Sequence, residues 1–187
     1  MQTRIIFPLV LSVMMVGCAA PPPINFSVPD VGVSKAKIDA EVKAITVTLA
    51  RPDEAKGSMP VGLEGVTNLW KESLQEAIDR MAIFKDDASK KVSIQVHILA
   101  LDIPAVAGFS ATKSIARYEI IDRSNGSIIY TQEISAEGAV SIAHSAIAIA
   151  RTREQINRSV QNNIKQFLQA LETVDINKPM FPSEVQK

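Results

Sequence analysis

One cysteine, Cys18, is the entire thiol content of this 187-residue chain. No disulfide can close within it, and no multi-cysteine zinc module can be assembled from it. Histidine is nearly as scarce: His97 and His144 are the only two, and neither has a second His or Cys at metal-ligand spacing. Neither glycine-rich phosphate loop, G-x-G-x-x-G or G-x-x-x-x-G-K, occurs. Gly108-Phe109-Ser110-Ala111-Thr112 lacks the second glycine of a nucleophile elbow and has no strand–turn–helix context. The residues therefore point to no cofactor, no metal and no catalytic constellation. Net charge is also missing, with 20 basic against 20 acidic residues, which removes the electrostatic case for a nucleic-acid partner. No apolar run is long enough to span a bilayer as a helix, which takes roughly 20 residues.

What is present begins at the N-terminus. Residues 1–17 read as a signal peptide: Arg4 supplies a positive charge, and Ile5 to Val16 is apolar apart from the interruptions Pro8 and Ser12. Met15-Val16-Gly17-Cys18 closes the run and resembles the bacterial lipobox. That resemblance implies cleavage between Gly17 and Cys18, and acylation of the Cys18 sulfur and α-amine. Each buried CH₂ adds about 0.8 kcal/mol to membrane binding, so three acyl chains hold a protein almost permanently. Ala19 stands where an Asp would resemble the inner-membrane retention signal. The implied address is the periplasmic face of the outer membrane, with the chain lipid-anchored.

Pro21-Pro22-Pro23 and Pro29 mark residues 18–40 as a lipidated N-terminus and Pro-rich linker, a semi-rigid spacer a few nanometres long. Ile24, Phe26, Val28 and Val31 leave a second option, in which residues 25–33 lie against the domain. The domain itself is placed at 41–175. Ile45, Val47 and Leu49 alternate with threonines and predict a strand over 43–49. Leu63, Val66, Trp70, Leu74, Ala77, Met81 and Phe84 form one stripe and predict a helix over 60–84, with Trp70 in the core. Val92 to Leu101 is the clearest strand; Leu99 and Leu101 make both faces of its end apolar, so that end is expected to be covered. Residues 112–122 and 127–136 predict a hairpin around a two-residue Asn125-Gly126 turn. A long helix is predicted over 144–174 on the stripe Ile149, Ile156, Val160, Ile164, Phe167, Leu171 and Val174. Pro179 and Pro182 put a flexible tail at 176–187. Arg151, Arg153, Arg158 and Lys165 give the first half of that helix a basic face, either solvated or turned toward anionic lipid.

These elements make an α+β two-layer domain: a four-stranded antiparallel or mixed sheet with two helices on one face, in the order β-α-β-β-β-α. The same order behind a lipobox resembles small proteobacterial outer-membrane lipoproteins of the YajG type and the ABC-transport auxiliary lipoproteins. The residues carrying it are Val16-Gly17-Cys18, the strand Val92 to Leu101, Arg117 to Asp122 leading into Asn125-Gly126, and the helix from Gln155 to Leu171. The resemblance implies a non-enzymatic partner of an envelope machine. Look-alikes also carry the label UDP-N-acetylglucosamine acyltransferase, an activity whose fold needs stacked hexapeptide repeats that this chain lacks.

The expected function is a membrane-anchored periplasmic accessory or binding lipoprotein, not an enzyme. The rivals are an envelope lipid or sugar enzyme and a subunit of a homo-oligomeric assembly. The membrane, through the N-terminal lipid, and a protein partner or a second copy are the expected partners. Two apolar stretches lack an obvious place. One is the loop containing Ile103, Val106 and Phe109; the other is Ile142 to Ala150, with Ile142, Ile147 and Ile149. Either they pack on each other and extend the core, or they form an exposed patch that marks an interface with protein or lipid.

Overall fold

The computed structural model describes residues 23–59, 65–106 and 109–174. The signal peptide, Cys18 and the tail 176–187 lie outside the described residues. The alternating segments become strands β1 (Glu41–Leu49), β2 (Lys91–Asp102), β3 (Thr112–Asp122) and β4 (Ile128–Gly138). The stripes become helices α1 (Val66–Met81) and α2 (Ala148–Glu172), the latter preceded by a short 3-10 turn at Ile142–His144. Sheet order is β1-β2-β3-β4. β1 runs parallel to β2, with α1 as the crossover, and the other two pairings are antiparallel. The sheet is thus mixed and open, and both helices lie on one face, as an α+β fold.

Period-two patterning decides which face is covered. Val92, Ile94, Val96 and Ile98 are buried under the helices, together with Tyr118 and Ile120 of β3 and Tyr130 and Ile134 of β4. Beyond Ile98 the register shifts by one residue, so Leu99 and Leu101 are both buried. After β1 the chain swings out and then returns to the same edge of β2. Lys56 N–H donates to the Leu99 carbonyl, and Leu101 N–H donates to that of Ser58. This return covers the doubly apolar end, and Leu99, Ala100 and Ile115 form a small second cluster there.

The helix bounds depart from the sequence reading, most at the end of α1 and the start of α2. Helix α1 stops at Met81 because Ala82 turns left-handed (φ 47°) while its N–H still reaches the Ile78 carbonyl; residues 60–64 lie outside the described residues. Helix α2 begins at Ala148, not His144. Ser145 and Ile147 are extended, and the Ser145 hydroxyl accepts the Ile147 N–H, a local bond that competes with helix formation. The Arg151 guanidinium then holds the Ser145 carbonyl.

The segment 24–34 belongs to the fold. Phe26 and Val28 are buried in the main core, and Ile24 and Val31 pack against it. Phe26 meets Trp70 edge-on at 6.2 Å between ring centroids. Asn25 N–H donates to Asn157 Oδ1, Arg80 holds the carbonyls of Val28 and Pro29, and Asp30 pairs with Lys165 at 3.7 Å. The segment is a wedge between two helices that scarcely touch each other. The spacer expected over 18–40 shortens accordingly, because burying a Phe side chain is worth roughly 1.5–3 kcal/mol and draws the chain onto the domain.

The hairpin forms with its expected strands but a longer turn. Asp122 N–H donates to the Ser127 carbonyl and Gly126 N–H to that of Asp122, so four residues turn, not two. The Asp122 carboxylate accepts both the N–H and the hydroxyl of Ser124, and Asn125 Oδ1 does the same for Ser127. These side-chain bonds select the wider loop, and within it only Gly126 takes a positive φ, 76°. At the other end of β4, Gly138 permits a close approach. A Cβ there would lie 2.1 Å from the Gln155 carbonyl oxygen and 2.4 Å from the Ser159 nitrogen, both α2 backbone.

Two substitutions separate conformational from steric use of glycine. Gly126→Val should lower stability by about 1–2 kcal/mol through strain alone, since L-residues resist the left-handed region, while Gly126→Asn should be nearly neutral. Gly138→Ala should cost about 1–3 kcal/mol or more from overpacking. Urea titration of the three variants checks both expectations, and equal effects of Val and Asn at 126 would contradict the first.

Candidate functional site

Register places the two unassigned apolar stretches at one end of the molecule. Asp102 pairs with Lys113, and Thr112 with Gly138. The connection after β2, the start of β3 and the exit from β4 therefore emerge side by side. Helix α2 starts at the same end: Gln155 Nε2 donates to the Ser110 carbonyl, and Arg158 donates to that of Ala139.

The side chains gathered there stay in solvent. Val106 is 57% exposed, Phe109 76%, Ile142 49%, Ile147 49% and Ile149 52%. Of the six apolar residues singled out in the two stretches, only Ile103 departs from this group, packing partly buried on the main core. The stretches do not close over each other as an extension of the core. Part of the reason lies upstream of α2: because 142–147 holds only a short 3-10 turn and extended residues, its isoleucines have no α-helical stripe by which to dock on the sheet. Ile128, another exposed large apolar residue, sits at the far end of the sheet beside Ile121.

The other candidate groups are held apart. His97 lies on the open face of the sheet, its Nδ1 3.3 Å from Thr48 Oγ1 and its Nε2 3.8 Å from a Glu119 oxygen. His144 is exposed at the apolar end, far along the chain from that pair. Among the described residues, no three His, Cys, Asp or Glu side chains gather as a metal site would require. An open cleft of about 460 Å³ lies between the N-terminal wedge and α2, lined by Asp30, Val31, Met81, Lys165 and Leu168 among others. Two of its charges, Asp30 and Lys165, pair with each other, and Glu172 is a third. Cys18 lies outside the described residues.

One polar constellation was not visible in the sequence reading. Trp70 Nε1–H donates to the Tyr118 hydroxyl at 3.2 Å, and that hydroxyl donates to Asn163 Oδ1 at 2.8 Å. Asn163 Nδ2 in turn reaches the Ser114 and Ile134 carbonyls at 3.3 and 3.1 Å. The Ser159 hydroxyl donates to the Ala136 carbonyl at 3.2 Å. Burial pushes the Tyr118 phenol far above its ordinary range, and it pushes Tyr130 up to about 12. Both therefore stay neutral, and the network ties α1, the sheet and α2 together without chemistry. The available signal was positional: Ser159 and Asn163 fall on the apolar stripe of α2, between Ile156, Val160 and Phe167.

Exposure at the apolar end has a direct test. Ile147→Asp should shift the unfolding free energy by no more than about 0.5 kcal/mol, as for an open surface site. Ile164→Asp, in the core, should unfold the domain. Denaturant titration distinguishes them, and a loss of several kcal/mol at Ile147 would mean a covered side chain.

No protein-family model matches the chain, and no curated protein does either. Several solved structures resemble it in outline. A DUF330 protein from Xanthomonas campestris is 12% identical with a TM-score of 0.46, the match covering 75% of this chain and 93% of that one. The PelC dodecamer from Paraburkholderia phytofirmans is 11% identical with a TM-score of 0.43, covering 76% and 95%. A minor lipoprotein from Acinetobacter baumannii is 12% identical with a TM-score of 0.35, covering 70% and 90%. These are likenesses of shape between very different sequences, and the reading of the site rests on this chain's own residues.

Proposed function

We propose that this protein is a lipid-anchored accessory or binding lipoprotein of the bacterial cell envelope, held on the periplasmic face of the outer membrane. The lipobox-like Met15-Val16-Gly17-Cys18, with the chain's sole cysteine in it, supports the address. The exposed apolar end carries the choice of binding over catalysis. Val106, Phe109, Ile142, Ile147 and Ile149 stand in water at one end, and a clustered apolar surface of that kind marks an interaction site. An enzyme would need an acid, base or nucleophile converging in a cleft. The two histidines sit on different parts of the domain, and the cleft beside α2 is lined by the Asp30–Lys165 pair, Gln169, Glu172 and apolar side chains, with no histidine or cysteine among them.

Cys18→Ala is the test. The variant should leave the outer-membrane fraction and appear in the soluble periplasm. Retention in the membrane after a salt wash would defeat the anchoring.

A further inference from the structure

The reach of the chain between Cys18 and the folded domain says what covers the apolar end. Pro23 is fixed beside α2, its carbonyl 3.5 Å from Asn157 Nδ2. The wedge then runs along the helix toward its C-terminus, passing Gln161, which donates to the Asn25 carbonyl, and Lys165, which pairs with Asp30. Only five steps separate Cys18 from Pro23. Even fully extended, they span about 18 Å. At 1.5 Å per residue, the last residue of α2, Glu172, lies about 22 Å beyond Asn157, and the first, Ala148, about 13 Å before it. A bilayer holding Cys18 is therefore out of reach at the C-terminal end of α2 and within reach at its N-terminal end. The few-nanometre spacer that would lift the domain clear does not exist once Phe26 and Val28 are buried.

We infer that the apolar end is a membrane-contact face. Resting on the anchoring proposed above, Val106, Phe109, Ile142, Ile147 and Ile149 enter the interfacial layer of the leaflet that carries the Cys18 lipid. Two orientations satisfy the tether: the flank of α2 against the bilayer, or its N-terminal end. The flank beside the tether presents Gln161 and Lys165 with their partners Asn25 and Asp30, polar groups that lose water at a cost on entering lipid. The end presents five apolar side chains from two neighbouring loops and the first turn of α2. Such residues sink several ångströms into the boundary between headgroups and acyl chains. A second copy of the chain is the competing occupant. The tether disfavours it, because the membrane must lie within about 18 Å of Pro23, and Pro23 sits beside Asn157, close to this end of α2.

The full-length protein, reconstituted in vesicles of phosphatidylethanolamine and phosphatidylglycerol, tests the contact. Phe109→Trp and, at the opposite end of the sheet, Ile128→Trp serve as probes; buried Trp70 is a constant background in both. Emission from Phe109→Trp should shift to the blue and lose intensity when the acyl chains are brominated, and emission from Ile128→Trp should do neither. The mass of the Cys18 peptide reports acylation separately. An unmodified Cys18 would sink the anchoring and this inference with it. An acylated protein with unquenched Phe109→Trp would overturn the contact alone. Blue-shifted but unquenched emission, with copies crosslinking through position 109, would assign the face to a second copy and likewise overturn it.

Discussion

The approach of α2 to Gly138 is the constraint on which the rest of the structure depends. With a backbone carbonyl and a backbone nitrogen of α2 where a β-carbon would sit, the helix lies on β4 without any side chain between them. That contact is rigid, because neither side of it has a rotamer to adjust. It fixes the depth at which Asn163 enters the core, and so the Tyr118 and Trp70 hydrogen bonds that follow. It also fixes the first turn of α2 at the end of the sheet where the loops after β2 and β4 emerge.

From that placement the N-terminal wedge follows. Phe26 and Val28 fill the space between the two helices, Phe26 against Trp70 of α1 while Asn25 meets Asn157 of α2. The core is completed by residues that precede the first strand. Removing them would open α1 and α2 to solvent on their facing sides. The stretch that precedes the first strand is therefore also a structural part of the domain.

The distribution of polarity over the surface is consistent with one working end. The open face of the sheet is laced with paired side chains: Arg117 with Glu54, Lys56 with Glu133, His97 with Thr48. Glu41, between Lys43 and Lys91, has its carboxyl held below the usual range by hydrogen bonds to those two lysines. Against these satisfied surfaces the apolar end stands out, with aliphatic and aromatic groups that no neighbouring element covers.

How much of this was legible beforehand follows from the range of the interactions involved. Strand and helix identity came from periodicities of 2 and 3.6, which are local, and all six regular elements appear where Ile45, Trp70, Val92 to Leu101, Tyr118, Ile134 and Ile164 placed them. Most of their covered faces were legible for the same reason, as was the covering of Leu99 and Leu101, but Leu49 and Ile149, read onto the apolar stripes, stay exposed. What failed locally was decided by single hydrogen bonds, as where the Asp122 carboxylate widened the hairpin turn and the Ser145 hydroxyl delayed α2. What the residues alone could not convey was long-range. Phe26 and Val28 are apolar in any conformation, and only the gap between α1 and α2 makes them core. Gly138 is one glycine among eight until α2 lies across it. Ile103 and Phe109 are apolar residues of the same connection after β2, yet one packs on the core and the other stays exposed. The sequence by itself determined the elements and most of their apolar faces, because those depend on neighbours along the chain. Tertiary structure decided which apolar residues stay in water and that the segment before β1 joins the core, because both depend on which distant segments meet, as where Thr112 pairs with Gly138 and Asn25 meets Asn157.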